Sequence, residues 1–255
     1  MKKIVKKFML LVLVSFIFLG GFIIYQRVQV IKHVRTYQGL VAKITKEAGI
    51  EKYQSTILAI MMTESKGTGQ DVMQSSESLT KQVGQLENQE QSIKQGTKHF
   101  KELLDYAQVR GCDYSTVLQA YNYGMDYIDY VANHGKHNTQ ELAEKYSKEV
   151  LAPALGNTEG KRYRYLHIFS IFHNGGYLYH NGGNYYYAKI VKWNQYQYES
   201  YEKIIYVFLT IFLYLLKCPQ SLILSALRAF CFCGKPHISR SIFLYFRYQA
   251  WLKSW

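Results

Sequence analysis

One glutamate lies in register with aliphatic residues in the stretch "ILAIMMTESKG", which begins at Ile57. On a helix, positions 57, 60, 61 and 64 share one face, because residues three, four and seven apart stack above one another. We therefore expect Glu64 to point where Ile57, Ile60 and Met61 point. Apolar surroundings disfavour a charged carboxylate and raise its pKa, which suits a general acid. The alternative is a solvated Glu64 at the edge of this stripe, near a helix end marked by Gly67.

Three short patterns occur in a fixed order: "TES" at 63–65, "DVMQSSES" at 71–78 and "QAYNYG" at 119–124. This order resembles the goose-type lysozyme and lytic transglycosylase superfamily, and "DVMQSSES" is similar to the signature of its bacterial lysozyme-like muramidases. The resemblance covers about residues 35–195. It implies an α-dominated, lysozyme-like fold and a peptidoglycan substrate.

The resemblance also implies roles for individual residues. Glu64 would be the catalytic acid that protonates the glycosidic oxygen after N-acetylmuramic acid. Small polar groups suit hydrogen bonding to sugar hydroxyls, and aromatic faces pack against sugar rings. The implied substrate-binding residues are Ser65, Gln74, Ser75, Ser76, Tyr121, Asn122 and Tyr123. For Ser65 an ordering role at the helix end is the alternative, and for one of the two tyrosines the alternative is core packing.

The second carboxylate of a glycosidase is less clear in this sequence. Inverting enzymes place it about 6.5–9.5 Å from the acid to leave room for a water. Ser76 stands where goose-type enzymes carry an aspartate, so the candidates are Asp71 and Glu77. If neither acts, a lytic transglycosylase needs only Glu64, because the muramyl 6-hydroxyl attacks. The family favours a muramidase, and a peptidoglycan-binding protein without turnover is a further alternative.

The elements that must position these residues are mostly helical. The hydrophobic spacing predicts helices over residues 34–48, 53–65, 89–108, 114–121, 124–133, 138–152, 160–172 and 184–193. Asp113 and Thr139 supply capping groups. The polar segment 67–88 is expected to form a surface loop. Residues 185–187 are three consecutive tyrosines that cannot all face one way, so at least one is expected to reach substrate or solvent.

Metal and cofactor chemistry has little support in the sequence. The pattern "HNGG" occurs at 173–176 and again at 180–183. Asn-Gly pairs favour turns, and no third ligand accompanies the two histidines. The four cysteines show no zinc or CxxC spacing. We therefore expect turns at both positions, with no metal and no cofactor.

The net charge of +13 suggests a polyanionic partner until its distribution is considered. Four lysines lie among the first seven residues, and seven Lys or Arg follow Glu202 without any acidic residue. The region between 8 and 202 then carries only +2. This distribution argues against nucleic acid as a partner.

The two ends of the chain differ from its middle. The lysines precede an uncharged run from Phe8 to Ile24, which predicts an N-terminal signal anchor over residues 1–29. The catalytic domain would then cover 30–200 and lie outside the cell membrane, facing the cell wall. Residues 201–255 form a hydrophobic, basic tail that is either a second membrane segment or the product of a frameshift or read-through.

Overall fold

Helices dominate the part of the chain that the computed structural model describes, which is residues 2–75, 88–201, 203, 205–207 and 210. The chain divides into two compact units, 1–201 and 202–255, and the described residues lie almost wholly in the first. The predictions for Ser76, Glu77 and almost all of the tail lie outside the described residues. Within the described residues, no helix combines the length and the hydropathy needed to cross a bilayer.

Ten helices and one small sheet make up the described fold. Helices α1 to α5 cover Lys2–Arg35, Gln38–Glu47, Gln54–Glu64, Gln89–Arg110 and Tyr114–Tyr123. Helices α6 to α10 cover Asp126–Ala132, Gln140–Tyr146, Ala152–Ala154, Ile168–Asn174 and Tyr187–Glu199. A 3-10 turn over Glu51–Tyr53 precedes α3, and a π-helical turn over Ser147–Leu151 joins α7 to α8. The α-dominated fold class is confirmed.

Local sequence signals explain several helix boundaries. The Asn88 side chain accepts a hydrogen bond from the Gln91 amide and begins α4. Asp113 caps α5 and Thr139 caps α7 in the same way, as their types predict. Gly111 ends α4 in the left-handed region, at φ 71°, where glycine carries no Cβ penalty.

The prediction of a helix over 160–172 was wrong. Strand β1 covers Arg162–Arg164 and pairs antiparallel with β2, Tyr177–Tyr179. Only α9 lies between them, and its first turn begins after His167, whose side chain accepts a hydrogen bond from the Phe169 amide. The alternation of Arg and Tyr before His167 has the period of a strand, and that local pattern prevailed over helical spacing.

Helix α3 lies at the centre of the core. Seven consecutive residues, 56–62, are buried, because α1, α2 and α10 all pack against this helix. The face predicted for Ile57, Ile60 and Met61 is therefore buried, but so are the other sides of the helix. Because neighbouring helices surround α3, the position of its last residue, Glu64, at the edge of the core is well defined.

Candidate active site

The Glu64 side chain lies at the C-terminal end of α3 and contacts the first residue of α10. The Tyr187 hydroxyl donates a hydrogen bond to Glu64 Oε1. Tyr187 is itself buried, with 2% of its surface exposed. Among the described residues, no other hydrogen bond reaches this carboxyl group. Oε1 is thus held by the tyrosine hydroxyl.

The surroundings of Glu64 change its acidity. Burial is the largest cause that raises the pKa of Glu64, from its ordinary 4.5 to about 7. The negative charge of Asp71 raises it further, whereas the hydrogen bond from Tyr187 opposes both. Burial also holds the pKa of Tyr187 well above its usual value, so the phenol remains a donor. At neutral pH, a carboxyl group with a pKa near 7 keeps its proton in about half of the molecules, which is sufficient for a general acid.

The polar segment after α3 wraps around the end of the helix. The Ser65 hydroxyl donates to the Val72 carbonyl oxygen at 2.6 Å and accepts from the Gly67 amide at 3.0 Å. Gln74 Nε2 donates to the Glu64 carbonyl oxygen at 2.8 Å, and Gln74 has a left-handed φ of 45°. Ser65 therefore orders the helix end, which was one of its two predicted roles, while Gln74 is exposed beside Glu64.

The next residues bind the segment to α4. Asp71 Oδ1 accepts hydrogen bonds from the Ser75 amide at 3.0 Å and from the Ser92 hydroxyl at 2.7 Å. The Ser75 hydroxyl donates to the Ser92 carbonyl oxygen, and Ser75 is buried. The structure therefore places Ser75 inside the protein and not on the cleft surface. The described part of the predicted surface loop is anchored, because Val72 and Met73 are fully buried.

The two tyrosines of "QAYNYG" have different surroundings. The Tyr121 ring stacks on Tyr187 at 6.3 Å between centroids and 7° between planes, and its hydroxyl lies 3.3 Å from the Met73 carbonyl oxygen. Tyr123 is buried, donates to the Ala143 carbonyl oxygen and packs edge-on against Tyr127. Tyr121 thus belongs to the site beside Glu64, and the core alternative describes Tyr123.

A glycine in α4 permits this close arrangement. A Cβ at Gly96 would lie 2.7 Å from Met73 Cβ and 2.8 Å from the Tyr121 hydroxyl. Both distances are shorter than ordinary carbon contacts, so a side chain here would displace the loop or the ring. Gly96 lets the Met73 segment and Tyr121 meet behind the site.

Two amides of the same motif hold the segment that supplies Tyr187. Gln119 is buried; its Nε2 donates to the Asn184 carbonyl oxygen, and its Oε1 accepts from the Ala188 amide. Asn122 Oδ1 accepts from the Asn184 amide at 2.8 Å. Gln119 was not predicted to have a role, although a polar residue between the apolar Leu118 and Ala120 was a signal for one.

None of the three consecutive tyrosines reaches solvent, which was one of the two expected outcomes for them. Tyr185, Tyr186 and Tyr187 are all buried. Residues 185 and 186 form a turn, and α10 begins only at Tyr187, so the backbone changes direction between them. The Tyr185 hydroxyl donates to the Tyr177 carbonyl oxygen, and that of Tyr187 reaches Glu64. The Tyr185 and Tyr187 side chains therefore point to different parts of the interior.

A second hydrogen-bonded group lies behind Glu64. Asn194 is buried in α10, and its Nδ2 donates to the Thr63 hydroxyl at 2.9 Å. Its Oδ1 accepts from Arg27 in α1 at 2.7 Å. Since Thr63 precedes Glu64, these contacts join the N-terminal helix to the end of α3.

The histidines of the repeated "HNGG" pattern make local contacts. His173 Nε2 pairs with Glu144 at 2.7 Å, and the His180 ring packs on Tyr163 at 5.0 Å. Gly175, Gly176, Asn181 and Gly183 all have positive φ, which confirms the predicted turns. In the described ranges, no group of three potential ligands could hold a metal ion.

The sequence profile described as lysozyme-like matches residues 31–195, and the chain belongs to this family.

Particular relatives are found among streptococci, bacilli and staphylococci. Pneumococcal vaccine antigen A of Streptococcus pneumoniae serotype 4 is 46% identical over 186 residues, which are 73% of this chain and 90% of the relative. The bifunctional muramidase/DL-endopeptidase CwlT of Bacillus subtilis is 36% identical over 129 residues, 51% of this chain and 38% of that protein. A crystal structure of a lipoprotein-like NLP/P60-family protein of Staphylococcus aureus superposes with a TM-score of 0.59 at 44% identity. That match covers 64% of this chain and about half, 52%, of the staphylococcal chain.

Proposed function

We propose that this chain is a peptidoglycan muramidase that cleaves the glycan strand between N-acetylmuramic acid and N-acetylglucosamine. The observation that carries the proposal is the Glu64 carboxyl group, whose pKa of about 7 and hydrogen bond from Tyr187 prepare it as a general acid. Membership in the lysozyme-like family supports a glycosidase, and the name of the Bacillus subtilis relative supports the substrate.

The first chemical step follows from this geometry. Glu64 donates its proton to the glycosidic oxygen as the bond to the muramyl C1 breaks, and positive charge develops on the sugar ring. The carboxylate that forms accepts the hydrogen bond from Tyr187, which favours the ionised form. Gln74 and Tyr121, beside the acid, are the described residues best placed to bind the sugars that flank the bond.

In the proposed hydrolysis, a second carboxylate activates a water on the opposite face of the sugar ring. Asp71 is the described candidate, because its charge already acts on Glu64. Glu77, the other candidate, lies outside the described residues.

A lytic transglycosylase is the second candidate function, and one observation favours it. Asp71 Oδ1 accepts two hydrogen bonds that organise its own loop. This carboxylate oxygen is occupied by its own loop and is therefore less available to accept a proton from a water. In a transglycosylase, Glu64 acts first as acid and then as base while the muramyl 6-hydroxyl closes an anhydro ring.

Digestion of purified sacculi in ¹⁸O-labelled water tests the reaction. We expect products with reducing muramyl ends that carry the heavy oxygen, because the attacking oxygen of a hydrolase comes from solvent. Mass spectrometry of the fragments measures this directly. Anhydromuramyl ends without label would establish the transglycosylase instead, and sacculi that bind the protein but stay intact would leave only a binding function.

We also propose that residues 1–29 anchor the enzyme in the cell membrane, with the catalytic domain on the cell-wall side. The lysines before Phe8 support this orientation, because basic residues are retained in the cytoplasm. Peptidoglycan would then be within reach of Glu64.

The contact between Tyr187 and Glu64 predicts the effect of Tyr187→Phe on the pH profile. The acid form of Glu64 is lost as pH rises through its pKa, so the alkaline limb of kcat is expected near pH 7. The hydrogen bond from Tyr187 lowers that pKa, and its removal should therefore move the alkaline limb to higher pH. Initial rates between pH 5 and 9 on solubilised glycan strands give the limb for both proteins.

Tyr185→Phe is the matched control for this profile. Tyr185 is as buried as Tyr187 but does not contact Glu64. The substitution removes its hydrogen bond to the Tyr177 carbonyl oxygen. Its alkaline limb should stay where it is in the parent protein. An unchanged limb in Tyr187→Phe would show that the tyrosine does not tune the acid.

A further inference from the structure

Residues 160–183, which contain β1, α9 and β2, expose an unusual amount of apolar surface. Phe172 is 85% exposed and Leu166 is 72% exposed. Ile168 and Ile171 are more than 45% exposed on the same short helix. Side chains of this size are commonly buried, and a group of them on one projection marks an interaction surface.

The charge of this segment has one sign. Residues 160–183 contain no Asp or Glu, but they contain Lys161, Arg162 and Arg164. The guanidinium groups of Arg162 and Arg164 lie 5.3 and 4.7 Å from the centre of the Tyr177 ring. In the described part of the chain, neither arginine forms a salt bridge with a carboxylate. The surface thus combines apolar side chains with available positive charge, which complements an anionic partner.

The N-terminal helix supports a lipid as that partner. Arg27 holds α1 to the domain through its hydrogen bond to Asn194. Before Arg27, α1 presents exposed apolar side chains at Val5, Phe8, Met9, Val14, Ile17, Phe18, Leu19, Phe22, Ile23 and Tyr25. The described chain therefore exposes apolar side chains on two elements, α1 and the segment around α9, and a lipid surface can accommodate both.

We propose that residues 160–183 form a membrane-binding surface that rests on anionic phospholipid, together with the N-terminal helix. Leu166, Ile168, Ile171 and Phe172 enter the boundary between headgroups and acyl chains, and Arg162 and Arg164 contact lipid phosphates. Aromatic and aliphatic side chains next to arginines are the composition of interfacial elements. Two contacts with the membrane, one at α1 and one at α9, set the orientation of the Glu64 cleft, which a single flexible attachment would leave free.

Depth-dependent fluorescence quenching tests the proposal with the full chain in phosphatidylglycerol vesicles. Phe172→Trp adds a fluorophore to the surface, and the emission of the parent protein, which has Trp193, Trp251 and Trp255, is subtracted. We expect lipids with brominated acyl chains to remove more than about half of the added emission. The matched control is Val109→Trp on α4, where the parent valine is 82% exposed outside the segment, and its emission should be unaffected.

The same variants also distinguish anionic lipid from other ligands of this surface. Quenching of Trp at 172 should weaken severalfold in phosphatidylcholine vesicles, because the arginines lose their phosphate-rich partner surface. Equal emission with brominated and ordinary lipids would overturn the proposal. Protection of this Trp from aqueous iodide only after addition of peptidoglycan fragments would overturn it in favour of a glycan surface. Phe172 does not touch Glu64, so the Phe172→Trp protein should digest sacculi in detergent at the parent rate. A failure of the membrane-binding proposal can therefore be distinguished from a failure of the proposed muramidase activity.

Discussion

Glu64→Gln is expected to lower the rate of sacculus digestion by about 10²–10⁴-fold, the range that general acid catalysis contributes. The amide keeps the size of the side chain and can still accept the hydrogen bond from Tyr187, but it has no proton to give to the glycosidic oxygen. Release of soluble fragments, measured against binding of the same protein to sacculi, separates turnover from affinity. We expect binding to remain within a few fold of the parent protein.

Stability measurements complete this test. The folded Glu64 has a pKa of about 7, raised mainly by burial, against an ordinary value of 4.5. Because the unfolded chain loses this proton first as pH rises, the carboxyl group destabilises the fold progressively between these two values. The Glu64→Gln protein does not lose stability in this way. Its melting temperature should therefore equal that of the parent protein at pH 4 and exceed it at pH 8. Glu102→Gln, at an exposed position of α4, is the control for a lost carboxylate. Near-parental turnover in Glu64→Gln would move the acid to another residue, with Glu77 the next candidate.

Asp71→Asn is expected to lower hydrolytic turnover by about 10²-fold or more if Asp71 activates the water. Asparagine keeps an oxygen that can accept from the Ser75 amide and the Ser92 hydroxyl, so the loop should retain its structure. The substitution also removes a negative charge that raises the pKa of Glu64, and the alkaline limb of the remaining activity should shift to lower pH. The turnover rate and the position of the alkaline limb together show whether the lost activity arises from a missing base or from a changed pKa of Glu64.

Glu77→Gln is the companion variant. A severe loss there with a mild effect at Asp71 would assign the base to Glu77 and contradict the preference for Asp71. Mild effects in both, together with anhydromuramyl products, would remove the hydrolytic mechanism altogether, because a transglycosylase activates no separate water.

The central helix and its acid were accessible from the sequence because the information is local. Helical spacing predicted a helix over 53–65, and the structure has Gln54–Glu64. Apolar neighbours predicted a raised pKa for Glu64, and burial is indeed the first cause. The capping residues Asp113 and Thr139 act within three positions of themselves, so their types were sufficient.

The surroundings of the acid could not be predicted in this way, because they depend on contacts between distant segments. Nothing near Glu64 in the sequence indicates Tyr187, and nothing near Gln119 indicates Asn184. Ser75 had the right type for sugar binding, but its neighbour Asp71 and helix α4 draw it into the interior. The β1–β2 pair was missed because strands of three residues give too short an alternation to outweigh the helical spacing predicted around them.

The contact between Tyr187 and Glu64 joins residues 123 positions apart. Contacts of such long sequence separation form late in folding, because a large loop must first close at a cost in chain entropy. On a chain emerging from the ribosome, α3 is complete more than a hundred residues before its tyrosine partner exists. A nascent or partly folded chain therefore carries its acid without the group that holds it, and the competence to cut a glycan would arise only with the final closure of the domain.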